Sequence, residues 1–174
     1  MKPLIIGLML VGAAAPSAAQ RPRYGVKASF EEHYAFAHLK TYTWMPGWSA
    51  FLWPVDQQIV AAVDREMARL GFVLVDSEPS DVIVTYAAMQ RTDVDLKTKV
   101  TSNPELYREY RVGTLIVLLR EPQTFRDVFK ARGDAPLEES PDAIAQQIDS
   151  IVAEMFEQYP MRRIDYRKKM ERSR

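Results

Sequence analysis

Residue patterning predicts an α+β domain: a mostly antiparallel sheet of about five or six strands, with two helices packed on one face. Three observations lead there. Residues 55–70 and 140–159 carry apolar side chains at helical spacing. Between them lie several runs that are rich in β-branched residues or alternate apolar with polar. Those runs follow one another without an intervening helix, which favours antiparallel neighbours and leaves one sheet face open.

Residues 25–30 open the domain as a first strand, and 31–37 form an acidic, aromatic connection. Residues 40–44, Lys-Thr-Tyr-Thr-Trp, alternate as a half-buried strand does, and Pro46-Gly47 ends it. In the first helix Ile59, Val60, Val63, Met67 and Leu70 form one stripe. Pro54 suits the first turn because its missing N–H would have no partner there, and Gly71 suits the position after the last turn. Residues 72–75 are a short apolar stretch and 79–81 a turn. Residues 81–89 read as a buried strand. From 92 to 100, Val94, Leu96 and Val100 face away from Asp93, Asp95, Lys97 and Lys99, the pattern of a strand with one face in water. Residues 101–111 are polar and read as loop or edge. Residues 113–119 are apolar on both faces, 124–131 return antiparallel, and 132–139 read as loop. The second helix has Ser140 as N-cap, Pro141 at its first position, Asp142 at the positive end of its dipole and Pro160 as its stop.

Lys2, the apolar run over residues 4–15 and the small residues Ser17 and Ala19 make residues 1–19 a signal peptide cleaved after Ala19. The run is shorter than the roughly 20 apolar residues of a membrane span. Removing 19 of 174 residues leaves 155, assigned as a single domain over 20–161 and a basic tail over 162–174. No cysteine is present, which excludes thiol chemistry, disulfides and a lipid-modified cysteine. The expected location is therefore periplasmic or secreted, soluble after cleavage and without a lipid anchor. Basic and acidic residues balance at 23 each, so no global attraction to nucleic acid is expected.

Four stretches, in this order and spacing, carry a resemblance. They are Phe36-Ala37-His38-Leu39-Lys40-Thr41-Tyr42-Thr43-Trp44, the helix closing on Leu70-Gly71-Phe72, Ser80-Asp81-Val82-Ile83-Val84-Thr85-Tyr86, and Gly113-Thr114-Leu115-Ile116-Val117. With the second helix closing on Tyr159-Pro160, the chain resembles the DUF4136 family. The resemblance implies a bacterial envelope protein, in a family that includes many lipoproteins and has no established function or catalytic residues. Three features depart from the family pattern. The lipid-bearing cysteine is missing, Phe129 stands where a tryptophan is common (with Ala131 near a usual glycine), and the basic tail is an addition.

Glu31, Glu32, His33 and His38 form the one histidine–carboxylate cluster. Two histidines without i, i+4 spacing or a third ligand fall short of a four-coordinate site, so neither metal nor cofactor is expected. Asp81, Asp93 and Asp95 could come together on the open sheet face and share acid–base work, although Lys97 and Lys99 on the face of Asp93 and Asp95 favour charge pairing. No nucleophile elbow, phosphate loop or metalloprotease motif occurs. The expected function is therefore a non-enzymatic interaction module with an unidentified envelope protein or polymer as partner. A small-ligand or lipid carrier is the alternative, and a hydrolase using the aspartate face a third. Trp44, Trp48, Phe51 and Trp53 are the candidate interaction surface, with Trp48 and Phe51 expected to be the most exposed. Arg162, Arg163, Arg167, Lys168 and Lys169 are candidate contacts to an anionic membrane surface. They lie in a tail whose seven bases and two acids give a net charge of +5.

Overall fold

A computed structural model of the chain describes residues 25–51, 53–76 and 79–162. The expected signal peptide and the tail beyond Arg162 lie outside the described residues. Within them, the elements run β1 (Val26–Phe30), a single 3₁₀ turn (Phe36–His38), β2 (Thr41–Trp44), β3 (Trp48–Ser49), α1 (Trp53–Arg69), β4 (Val73–Leu74), β5 (Val82–Val100), β6 (Asn103–Arg120), β7 (Asp127–Pro136) and α2 (Pro141–Glu157).

The α+β class holds, but the sheet is larger than expected and mixed. It has seven strands in the order β1-β7-β6-β5-β2-β4, with β3 beside β5. β1, β7, β6 and β5 are antiparallel neighbours, whereas β2 and β3 lie parallel to β5, and β4 parallel to β2. Parallel neighbours need a long crossover, usually a helix, and α1 supplies it. The expectation of a mostly antiparallel sheet of five or six strands treated α1 as a flank of the strand run, when it is a connection within it.

Both helices share one core with the sheet. Ile59, Val63 and Met67 of α1 and Val152, Met155 and Phe156 of α2 pack with Val82, Val84 and Ala88 of β5 and with Leu115, Val117 and Leu119 of β6. The helix ends follow the local chemistry. The Gly71 backbone sits at φ +85°, and the Phe72 N–H reaches back to the Met67 carbonyl at 3.0 Å, closing α1 with a left-handed cap. Ser140 accepts the Ala143 N–H at 3.2 Å and caps α2. Under α2, a Cβ on Gly133 would fall 2.5 Å from Ile151 Cγ2, so the bare glycine lets the helix approach β7.

One stretch expected as loop, and one expected as loop or edge, are strand. β7 continues through residues 132–136, because Gly133 is needed beneath α2 and the ladder to β6 runs on to Pro136. Residues 103–111 form the first half of β6 and pair with β5 as far as Val100. Their polar composition reflects solvent on both faces of a ribbon rather than the absence of a strand.

That ribbon is the most distinctive part of the fold. β7 pairs with β6 only from Val112 onward, and β2 and β3 pair with β5 only as far as Ala88. Past those points β5 and β6 continue as a two-stranded arm turning at Thr101 and Ser102. At about 3.4 Å per residue the arm extends roughly 30 Å beyond the sheet.

Candidate interaction surface

The carboxylates singled out in the sequence do not converge. Asp81 immediately precedes β5 and Asp93 lies twelve residues further along it, roughly 40 Å away at strand rise. Asp81 accepts the Lys40 and Thr41 N–H groups at 2.7 and 2.8 Å and the Thr41 hydroxyl at 3.0 Å. Those backbone donors, Lys40 first, hold its carboxyl below the usual range. Its role is to bolt the start of β2 to β5. Asp93 pairs with Arg91 at 2.9 Å, and Asp95 accepts the Lys97 N–H at 2.9 Å. Their expected meeting on the open sheet face took residues 81–89 and 92–100 as two strands, whereas they form the single long β5, whose length separates Asp81 from the other two.

A network the sequence reading missed lies at the base of the arm, on the sheet face away from the helices. Asp134 of β7 accepts from Arg132 Nε at 2.8 Å, from Arg91 Nη1 at 2.9 Å and from the Thr114 hydroxyl at 2.6 Å. These groups, Arg132 foremost, hold its carboxyl well below the usual carboxylate range against the opposing effect of burial. The network crosses three strands, so no local motif could announce it. Because folding lowers this pKa, the ionised carboxylate stabilises the fold at any pH above its unfolded value of about 4, and that stabilisation drains away as the pH falls below it. Asp134→Asn is accordingly expected to lower the thermal midpoint at pH 7, with the gap to the unmodified chain narrowing below about pH 4. Melting curves at both pH values check this; an equal gap at both would remove the charge from the explanation.

The aromatic segment divides into two. Trp44 is half-buried and its Nε1–H donates to Asp64 at 2.9 Å. Phe51 is also partly buried, packed against the core, which corrects the expectation of its exposure: it folds back over the start of α1. Trp48 is 60% exposed and Trp53 69%. Trp48 stands opposite Ala87 in register, on the side of the sheet away from the helices. Trp53 is the first residue of α1.

Of the basic candidates, Arg162 belongs to the domain. Its guanidinium donates to the buried Glu66 carboxylate at 2.8 Å, and Arg69 pairs with the same carboxylate. Placing Arg162 in a solvated tail missed the acidic partner on α1. Arg163, Arg167, Lys168 and Lys169 lie outside the described residues. Among the described residues no group of three or more metal-binding side chains converges, and no helix is long and apolar enough to cross a membrane.

An apolar cleft opens between the helices over β5, β6 and β7, lined by Phe51, Val55, Leu115, Leu137, Ile144 and Ile148 among others. Its volume is about 40 Å³, against the roughly 300–1,000 Å³ of ordinary ligand pockets. That is space for a few water-sized groups. Among the described residues, four exposed apolar or aromatic side chains lie on the arm: Val94, Leu96, Leu106 and Tyr107, with Leu96 72% exposed.

A family model described as a domain of unknown function, DUF4136, matches residues 26–161. No curated protein matches the chain. Among solved structures, a PDZ domain protein from Parabacteroides distasonis is similar at 12% identity with a TM-score of 0.53, over 79% of this chain and 35% of that one. The chain thus spans about a third of that protein's length, and the likeness is one of fold. A PelC dodecamer from Paraburkholderia phytofirmans is similar at 9% identity and a TM-score of 0.48, over 76% of this chain and 97% of that one. A minor lipoprotein from Acinetobacter baumannii is similar at 10% identity and a TM-score of 0.42, over 72% and 95%.

Proposed function

The chain belongs to the DUF4136 family, a family of unknown function, and on that footing we propose that it is a non-enzymatic assembly module of the cell envelope that docks through the β5–β6 arm. The observation that carries this reading is the arm itself. A ribbon leaves the sheet and presents Val94, Leu96, Leu106 and Tyr107 to water with no described helix over them. Exposed apolar side chains on a projecting element cost solubility unless a partner covers them. Trp48 and Trp53 offer a second contact area. The leader-like N-terminus supports an envelope location. The carboxylates considered for catalysis act in strand bolting and ion pairing, which supports a non-enzymatic role.

Site-specific photocrosslinking in cells tests the reading. A photoreactive residue at Leu106 is expected to yield a discrete adduct. The same residue at Phe125, exposed in the turn at the opposite end of the sheet, should yield none. Equal labelling at both sites, or no adduct at Leu106, would overturn the arm as the docking element.

A further inference from the structure

We infer that the sheet face turned away from the helices seats the protein on a membrane surface, where Lys27, Lys130 and Arg132 grip phosphate-bearing anionic headgroups. The site lies apart from the arm and does not depend on it.

Strand register builds the site. β1 and β7 pair with Lys27 opposite Arg132 and Ser29 opposite Lys130. Their alternate residues Val26, Ala28, Phe129 and Ala131 pack into the core beneath the helices, so these four side chains share the other face. Facing residues of an antiparallel ladder lie about 5 Å apart, and alternate residues of one strand about 7 Å. Three cations and a hydroxyl thus mark the corners of one small rectangle, and all four are exposed. Long Lys and Arg side chains at that spacing reach a common phosphate group, whose oxygens accept several charge-assisted hydrogen bonds.

The charge there is uncompensated. Like charges directly across a ladder repel, yet Lys27 faces Arg132, and Lys130 is the next residue of the same face. The acids nearby are engaged by arginines: Asp134 by Arg132 and Arg91, Asp127 by Arg120 at 2.7 Å, and Glu31 by Arg126 at 3.1 Å. Among the described residues neither Lys27 nor Lys130 forms an ion pair. A lysine on an edge strand deters strand addition, and β1 is such an edge. β7 is an inner strand, so Lys130 has no such duty, and an anion from outside the chain is what the cluster lacks.

The groups beside the cations favour a lipid surface over a soluble anion. On β6, Ile116 stands opposite Arg132 and Leu118 opposite Lys130. Both are half-buried and form an apolar shelf one strand away. The row continues through Ala87 of β5 to Trp48 of β3, which is 60% exposed. Lys27, Arg132, Ile116, Ala87 and Trp48 therefore form a line across five strands, roughly 19 Å long at about 4.8 Å per strand. Cations at one end, an aliphatic middle and an indole at the other match the headgroup level of a bilayer, where tryptophan is enriched and lysine meets phosphate. Arg162, expected to contact an anionic membrane, is instead held by Glu66 on the helix side.

The test uses the full chain, in the processed form that cells yield, and follows its cosedimentation with vesicles. Binding is expected to vesicles of phosphatidylglycerol and not to those of phosphatidylcholine. Lys27→Gln with Lys130→Gln is expected to weaken it by roughly 25-fold, at about fivefold for each lysine on an anionic surface. Those substitutions also remove like-charge repulsion, so the variant is expected to melt no lower than the unmodified chain. The melting curve thereby separates lost binding from lost folding. Trp48→Ala should weaken binding as well. Lys97→Gln with Lys99→Gln takes the same charge from the arm and should leave binding unchanged. A chain that binds neither vesicle, or binding that falls equally with the arm substitutions, would overturn the inference. So would binding that survives at Lys27 and Lys130 but is lost when Arg167, Lys168 and Lys169 become glutamine, which would move the contact to the basic C-terminal segment. Protection of Lys27 and Lys130 from acetylation by inorganic phosphate, but not by the vesicles, would make the ligand a free phosphate and overturn the lipid surface.

Discussion

Replacing Tyr159 by alanine is expected to destabilise the domain by about 3–5 kcal/mol, the cost of deleting a large buried ring. Tyr159 is 1% exposed, just beyond the end of α2. Its ring meets Phe36 at 5.4 Å, Phe129 at 5.4 Å and Phe72 at 6.2 Å, each edge-to-face. One side chain thereby joins the 3₁₀ turn before β2, the segment that follows α1 and the start of β7. Its hydroxyl has no hydrogen-bond partner among the described residues, and burial pushes the phenol above its ordinary pKa. Tyr159→Phe, which keeps the ring and removes the orphan donor, is expected to leave stability unchanged or raise it by up to about 1 kcal/mol. Denaturant unfolding of both variants decides the matter. A loss above about 1 kcal/mol in the phenylalanine variant would mean that the hydroxyl has a partner after all.

A comparable loss is expected at Asp64, on the α1 surface facing β2. One carboxylate oxygen accepts both the Tyr42 hydroxyl at 2.7 Å and the Trp44 Nε1–H at 2.9 Å. Burial, then this carboxylate, holds the Tyr42 phenol above its usual range. Asp64→Ala leaves both donors without that acceptor. At about 1–3 kcal/mol for each stranded donor, the expected cost is roughly 2–5 kcal/mol, read from denaturant unfolding. Tyr42→Phe should cost less, and the double variant should lose less than the two single losses combined, because they share a contact. A cost within about 0.5 kcal/mol, typical of an ordinary surface change, would mean that the pair does not hold β2 to the helix.

Both residues show how unevenly the sequence disclosed the structure. The stripe of Ile59, Val63 and Met67 was legible, and so were the caps at Gly71 and Ser140, because a helix face and its ends are written in residues at most a few positions apart. The buried strand around Val84 was legible from β-branched density, and that around Val117 from being apolar on both faces. The family was legible too: the order of four weak motifs led to the family whose model spans residues 26–161. The alternation around Leu96 read as a strand with one face in water, whereas Val94 and Leu96 are both exposed and the ribbon has solvent on both faces.

Long-range pairing governs the rest. That β2 joins β5 in parallel, with α1 as the crossover, follows from which sheet edge captures it. Asp81 became a bolt and not an acid–base group because Thr41, forty residues away in sequence, lies beside it. Arg162 left the tail for the domain because Glu66 is buried 96 residues upstream and needs a cation. Phe51 turned inward while Trp53 stayed out, though both sit in one aromatic run. Helices and caps are fixed by short-range hydrogen bonds and steric preferences that a local window contains. Strand neighbours, buried ion pairs and the burial of a loop aromatic are set by whichever distant surface closes over them, and no window along the chain contains that surface.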